Sequence, residues 1–337
     1  MTTASPTTSP RACRSCCSSR ARRRRTDAMG QVPLSGEQYV LEGFGYRAEV
    51  AAVGATLRTL SAGGRELVAG FSADRLRPAM RGALLVPWPN RTADGAYTFA
   101  GETHRLPVDE PETRTATHGL LAWSPFTPGE PVEHGLELRG TLAPRPGYPW
   151  RLGVTVTFTL AEDGLRQEVE VENQSDRTAP VGIGGHPYLV AGPSSDSSLD
   201  GWTLELDAAE ALVPSPDRML PERTVHVDDA PELDFRAPRT VGDTVLNHCF
   251  TGLRPAADGT VSARLRDPRG GGTQITWDAR CAFVQLYSAD HPVDGVRRSA
   301  LAIEPMTCQP DALNSGVGLL AVDPWQAVGA GWRIGAL

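Results

Sequence analysis

The chain has 337 residues, 40% of them hydrophobic, and a formal net charge of −7. That length can bury a large core without disulfide or metal staples, and the mild acidity lacks the concentrated basic face that nucleic acid or an anionic membrane would require. No stretch approaches the roughly 20 apolar residues of a membrane span.

Residues 1–29 stand apart, rich in Ser, Thr, Pro and Arg and without apolar periodicity. This composition predicts a disordered tail, and no apolar run follows its arginines, as a secretory or twin-arginine signal would need. A translation start at Met29 would leave the tail out. Cys13, Cys16 and Cys17 lie in it, while Cys249, Cys281 and Cys308 are scattered through apolar surroundings. With no export signal and no paired framework, a reducing, cytoplasmic setting is expected.

From about residue 35 the apolar pattern has period two. Strands are expected at 46–60 and 96–108, with a hairpin turn at Asp94-Gly95 between apolar flanks. The clearest alternation runs from Arg151 to Leu160, where Leu152, Val154, Val156, Phe158 and Leu160 share one face. After Glu162-Asp163-Gly164 the alternation resumes with Leu165, Val169 and Val171 against Arg166, Glu168, Glu170 and Glu172, so the two runs read as an antiparallel hairpin with one wet face. Further strands are expected at 201–206, 261–266, 273–277, 281–287 and 300–304. No segment sustains apolar spacing at i, i+3, i+4, i+7, and no fixed-period repeat is present. The reading is all-β, with residues 30–337 as a single domain.

Several motifs fail on inspection. Gly182-Ile183-Gly184-Gly185 lacks the spacing of a dinucleotide loop, no Gly-x-Ser-x-Gly nucleophile turn occurs, and no His-x-x-x-His pair points to a metal. No cofactor or metal is expected. Two segments remain, GIGGHPYL at 182–189 and LAIEPMTCQPDALNSG at 301–316. Each ends an apolar run on an ionisable residue directly before proline, which keeps His186 and Glu304 extended and projects them off a sheet face. A lone histidine is more often a hydrogen-bonded core residue than a catalyst. A carboxylate in an apolar run is harder to explain that way, because burying it without a partner is costly.

A third segment, residues 84–126, holds Asn90-Arg91, then Gly95 to Gly101, then His118-Gly119. Together with His186-Pro187-Tyr188, Glu304-Pro305 and Pro310 to Asn314, these elements resemble, in order, the motifs of the aldose 1-epimerase (galactose mutarotase) family. Pro87 to Arg91 and Glu304 to Thr307 resemble a bacterial subgroup, some members of which are associated with sulfoquinovose or other modified sugars. The resemblance implies a supersandwich of antiparallel sheets with a small-molecule aldose in a cleft, in a monomer or homodimer. It implies Glu304 as the base at the C1 hydroxyl, His186 as the acid at the ring oxygen, and His118 beside that oxygen. Asn90, Arg91 and Gln285 would bind sugar hydroxyls. Asn247 stands where the family often carries an aspartate, so a charge-assisted bond to the sugar is expected to be missing there.

The acid role asks His186 to be partly protonated near pH 7; a nearby Glu304 carboxylate would favour that form and desolvation would oppose it. Alternative readings are an epimerase for a phosphorylated or sulfonated hexose, which would want several cleft arginines, and a non-catalytic sugar-binding protein, which would not need the His–Glu pair.

Overall fold

The computed structural model describes residues 32–291 and 297–337, together with Met1 and the strand pair Arg22–Arg23. Its main body is built from two large antiparallel sheets. One has nine strands, and its centre runs Gly135–Leu142, Leu152–Ala161, Gly164–Asn173, Ala327–Ala336, Gly272–Trp277 and Val261–Arg266. The other has eight, with Ala208–Pro214, Asn247–Leu253, Phe283–Tyr287, Leu301–Met306, Gly184–Gly185 and Leu84–Leu85 in spatial order. Val156, Phe158, Val169 and Ile334 from the first join Val284, Leu286 and Ile303 from the second in one hydrophobic cluster. Period-two alternation dictates this arrangement, since each sheet hides one apolar face against the other.

The hairpin read from the sequence forms with the expected register, from Leu152 opposite Asn173 to Ala161 opposite Gly164. Its apolar face is buried, and its Thr and Glu face is half-buried or exposed. Leu301–Met306 differs, because every one of its residues is buried. It lies between Phe283–Tyr287 and the short strands Gly184–Gly185 and Tyr188–Leu189, so it has no solvent edge.

Two local expectations need correction. The run 46–60 is two strands, Tyr46–Ala51 and Thr56–Ala62, which pair with each other. Gly54 breaks it: at φ +69° its missing Cβ would stand 2.2 Å from the Ala122 carbonyl oxygen, so the chain can pass there only as glycine. The Asp94-Gly95 turn exists, with φ 53° and 58°, but its flanks do not form a hairpin. Arg91–Ala93 pairs instead with Thr115–Thr117, and Ala96–Phe99 pairs with Glu102–Arg105 around Ala100-Gly101. The turn's backbone is captured by other segments, Asp94 N–H by the Arg114 carbonyl and the Gly95 carbonyl by Leu106 N–H. Local sequence specified the bend but not its partners.

Arg22–Arg23 pairs with Tyr39 and Val40. The remainder of the expected disordered tail, with Cys13, Cys16 and Cys17, lies outside the described residues. Among the described residues the one α-helix is the short Ala312–Ser315, and none is long and apolar enough to cross a membrane.

The sheets meet tightly at Gly185, where a Cβ would stand 2.1 Å from the Trp332 ring. Gly185→Ala therefore overpacks the interface, and insertions of this kind cost typically about 1–3 kcal/mol. A thermal melt is expected to show a fall of several degrees; an unchanged midpoint would mean that Trp332 moves aside freely.

Candidate active site

His186 follows directly from the Gly184–Gly185 strand. Its N–H donates to the Ala83 carbonyl at 3.0 Å, and its own carbonyl accepts from Gly82 N–H at 2.9 Å. Pro187 then ties back to the central strand by accepting from Ile303 N–H at 3.2 Å. The Tyr188 ring stacks on the imidazole with centroids 5.1 Å apart and planes 14° from parallel. Sequence reasoning gave Tyr188 no role beyond its motif. Here it backs one face of the imidazole and fixes its plane.

Glu304 sits opposite Gln285 in the neighbouring strand. Its Oε1 lies 3.2 Å from His186 Nε2, and both side chains are almost fully buried. His118 brings a second imidazole edge-on to His186, with centroids 5.2 Å apart. His118 is held in the left-handed region at φ 58°, and its N–H donates to the Asn90 carbonyl at 2.9 Å. Gly119, also left-handed at φ 75°, packs so closely on Val86 that a Cβ would stand 2.1 Å from its carbonyl oxygen. That contact explains the His-Gly pairing, because any side chain at 119 would push His118 out of place.

The backbone at Arg91 is set by the 310–314 segment. Asp311 N–H donates to the Arg91 carbonyl at 2.8 Å, and Asp311 Oδ1 accepts from Ala93 N–H at 2.9 Å and Asn314 Nδ2 at 2.8 Å. The Arg91 guanidinium forms a two-point pair with Glu110, at 2.7 and 3.2 Å. Glu110 carried no sequence signal. Gln285 Nε2 donates to Asn247 Oδ1 at 2.8 Å, which joins these two expected sugar ligands and turns the amide nitrogen of Asn247 outward as a donor.

All seven residues singled out in the sequence (Asn90, Arg91, His118, His186, Asn247, Gln285 and Glu304) line one cleft of about 930 Å³. Tyr188, Tyr287, Trp123 and Asp290 line it as well. Within the protein, Nδ1 of both histidines and Oε2 of Glu304 are buried without a hydrogen-bond partner. Such atoms are expensive to leave unpaired, and a polyhydroxylated ligand is the kind of molecule that would satisfy them. Gly182 and Gly185 serve close packing, against Cys308 Sγ and Trp332. Among the described residues no group of His, Cys, Asp and Glu is placed to hold a metal.

The electrostatics of the cleft are set by burial. Desolvation pushes the Glu304 carboxyl up to about 8, opposed only in part by the Arg91 guanidinium. Desolvation also drives His186 well below its ordinary 6.5, helped by His118, Arg77 and Arg91, and takes His118 down to about 3. For His186, desolvation is the largest influence, and it acts in the direction that opposes the charged imidazole. Near neutrality the pair therefore holds one proton, on the carboxyl, and both imidazoles are uncharged.

Comparison with known proteins agrees with this architecture. A galactose mutarotase-like protein from Clostridium acetobutylicum shares the fold with a TM-score of 0.79 at 15% identity, over 95% of this chain and 99% of that one. The chain is 31% identical over 290 residues to the uncharacterized protein YihR of Escherichia coli K12, covering 86% of this chain and 90% of that one. It is 26% identical over 258 residues to the galactose mutarotase of Mus musculus, covering 69% and 71% respectively. Fold and cleft thus define a galactose mutarotase-like β-sandwich with a buried His–Glu pair. The sequence profile of the aldose 1-epimerase family matches residues 37–328, and the chain belongs to that family.

The raised Glu304 pKa has a consequence for stability. The folded chain holds this proton more tightly than the unfolded chain, so stability falls as pH rises from about 4.5 to about 8. Glu304→Gln removes the titration while keeping the shape. Its melting temperature is expected to gain on the wild type progressively between pH 5 and 8, and no further above that. A gap independent of pH would show that the carboxyl is already ionised in the folded protein.

Proposed function

We propose that this protein is an aldose 1-epimerase in activity as well as family, interconverting the α and β anomers of a free, uncharged aldose. The observation that carries the reading is the buried His186–Glu304 contact of 3.2 Å, which leaves one unpaired polar atom on each residue.

Ring opening needs the C1 hydroxyl to lose a proton while the ring oxygen gains one. The C1–O5 bond breaks with its electrons going to O5, and the O–H electrons become the C1 carbonyl. Glu304 takes the hydroxyl proton, and His186 protonates O5. His118, an uncharged imidazole at the edge of His186, polarises or orients the ring oxygen. Rotation about C1–C2 presents the other carbonyl face, and the same transfers run backwards to close the ring. Asn90, Arg91, Gln285 and Asn247 supply hydrogen bonds to the remaining hydroxyls.

The reactive arrangement for the closed ring, carboxylate with imidazolium, contains the same single proton as the arrangement that burial favours, neutral carboxyl with neutral imidazole. The open-chain sugar requires neutral carboxyl with neutral imidazole. The pair can therefore serve both halves of the reaction without exchanging protons with solvent. The wall offers no cluster of cations for an anionic sugar: of its two lining guanidinium groups Arg91 is tied to Glu110, and Asp109 and Asp290 line the same cleft, the latter paired with Arg298. A phosphorylated or sulfonated hexose would want several cleft arginines, and the lining holds Arg91 and Arg145 alone of that type. A binding-only protein would have no use for a desolvated acid–base pair.

NMR or polarimetric decay of pure α-anomers across neutral, phosphorylated and sulfonated sugars tests the reading. Turnover is expected for neutral aldoses, and Glu304→Gln and His186→Asn should each lose at least about 100-fold, the lower end of what positioned proton transfer provides. The wild-type kcat/KM should be level through neutrality and fall above about pH 8, where the pair loses its proton. Near-normal turnover in either variant, or a rate that climbs through pH 8, contradicts the shared-proton assignment.

A further inference from the structure

The departure at Asn247 raises a question about how the cleft receives a sugar hydroxyl's proton. Asn247 Oδ1 already accepts from Gln285, which leaves its amide N–H groups as donors and its oxygen with one neutral acceptor position. The proton of a sugar hydroxyl held by those N–H groups is better placed on a charged acceptor than on an amide oxygen that already holds one donor. One strand away, the wall contains a carboxylate that the motif comparison does not single out. Asn247 pairs with Tyr287, Leu246 N–H donates to Ser288 Oγ at 2.9 Å, and Asp290 lies two residues beyond Ser288 on the same cleft.

Asp290 is held in place. Arg298 Nη1 donates to its Oδ1 at 2.5 Å, and the Ser288 hydroxyl donates to its Oδ2. Arg298 is itself buried and fixed by three further bonds: to Asp200 at 2.6 Å, to the Gly242 carbonyl at 2.6 Å and to the Thr244 carbonyl at 3.2 Å. A carboxylate has about four lone-pair positions, and these two donors occupy two. The side chain keeps 25% of its surface exposed, although its partner Arg298 keeps only 8%. An ion pair made solely for packing has no need to face the cleft.

We infer that Asp290 is a sugar-binding residue, supplying the charged hydroxyl acceptor that Asn247 cannot, with Arg298 and Ser288 as its positioning residues. This rests on the aldose reading of the cleft and makes it more specific. Its substrates are uncharged aldoses bearing a free hydroxyl opposite Asp290, and sugars with an anionic group at that carbon are disfavoured.

The test is Asp290→Asn, which keeps the shape and an oxygen for Arg298. KM for the preferred neutral aldose is expected to rise about 5- to 10-fold, close to the factor of ten that corresponds to about 1.4 kcal/mol. The kcat should change little. Across monodeoxy analogues of that sugar, the KM penalty of D290N should vanish for one analogue and persist for the others, a pattern that mere loss of packing would not produce. A KM penalty that is uniform across the analogues, or absent, overturns the inference while leaving the epimerase reading intact. Should D290N fail to fold, Asp290→Glu keeps the charge but displaces it, and the same analogue-specific loss is expected. If the wild type turns over no aldose, the function reading has failed on its own account. Calorimetric titration with the same sugars then decides Asp290: analogue-specific weakening supports it, and no aldose binding overturns it.

Discussion

The site depends on the desolvation of one proton-sharing pair. In water a carboxylate and an imidazole near pH 7 would sit mostly ionised and mostly neutral, with solvent free to equilibrate them. Buried together, neither charged form is stabilised by water, and a proton that leaves one group is most cheaply placed on the other. Glu304 is held up to about 8 and His186 far down for this reason. On the proposed function, the same dryness would give a bound sugar leverage, because its hydroxyl and ring oxygens would become the polar environment that decides which partner carries the proton.

Keeping such a pair in register requires backbone, not long side chains. Glu304 stands on a strand with neighbours on both sides, and His186 is tied through Gly82 and Ala83 on its own peptide groups. The adjoining Gly185 lets the chain lie flat on Trp332, and Gly119 lets His118 approach over the Val86 carbonyl. The short Pro310 to Asn314 segment does for Arg91 what these glycines do for the histidines, by bonding to the Arg91 carbonyl and the nearby Ala93 N–H through Asp311. The glycines and prolines that punctuate the motifs are thus placement devices for neighbouring ionisable groups.

Much of this was legible in the sequence, and the exceptions have physical causes. The hairpin of Leu152–Ala161 and Gly164–Asn173 could be read because one face is wet and alternation records it. Glu304 stood out because a strand buried on both faces has no ordinary place for a carboxylate. The pairing of the strands flanking Asp94-Gly95 was not legible, since a local turn signal says nothing about which distant segment offers its carbonyls. Glu110 and Asp290 could not be found either. Each is a single acidic residue in an unremarkable loop, and its pairing is made by the fold, with Arg91 19 positions away and Arg298 8 positions away. The protonation of the pair also required the structure, because sequence named the two opposing influences but not the degree of burial that decides between them.

The location of the shared proton can be observed directly. Isotope-edited infrared difference spectra of the ligand-free enzyme against Glu304→Gln report whether that side chain is a carboxylic acid or a carboxylate, and ¹⁵N shifts report the charge on His186. At pH 7 the account predicts a protonated carboxyl and a neutral imidazole, with the acid band lost as pH rises through about 8. A carboxylate band beside a charged imidazolium at pH 7 would contradict it.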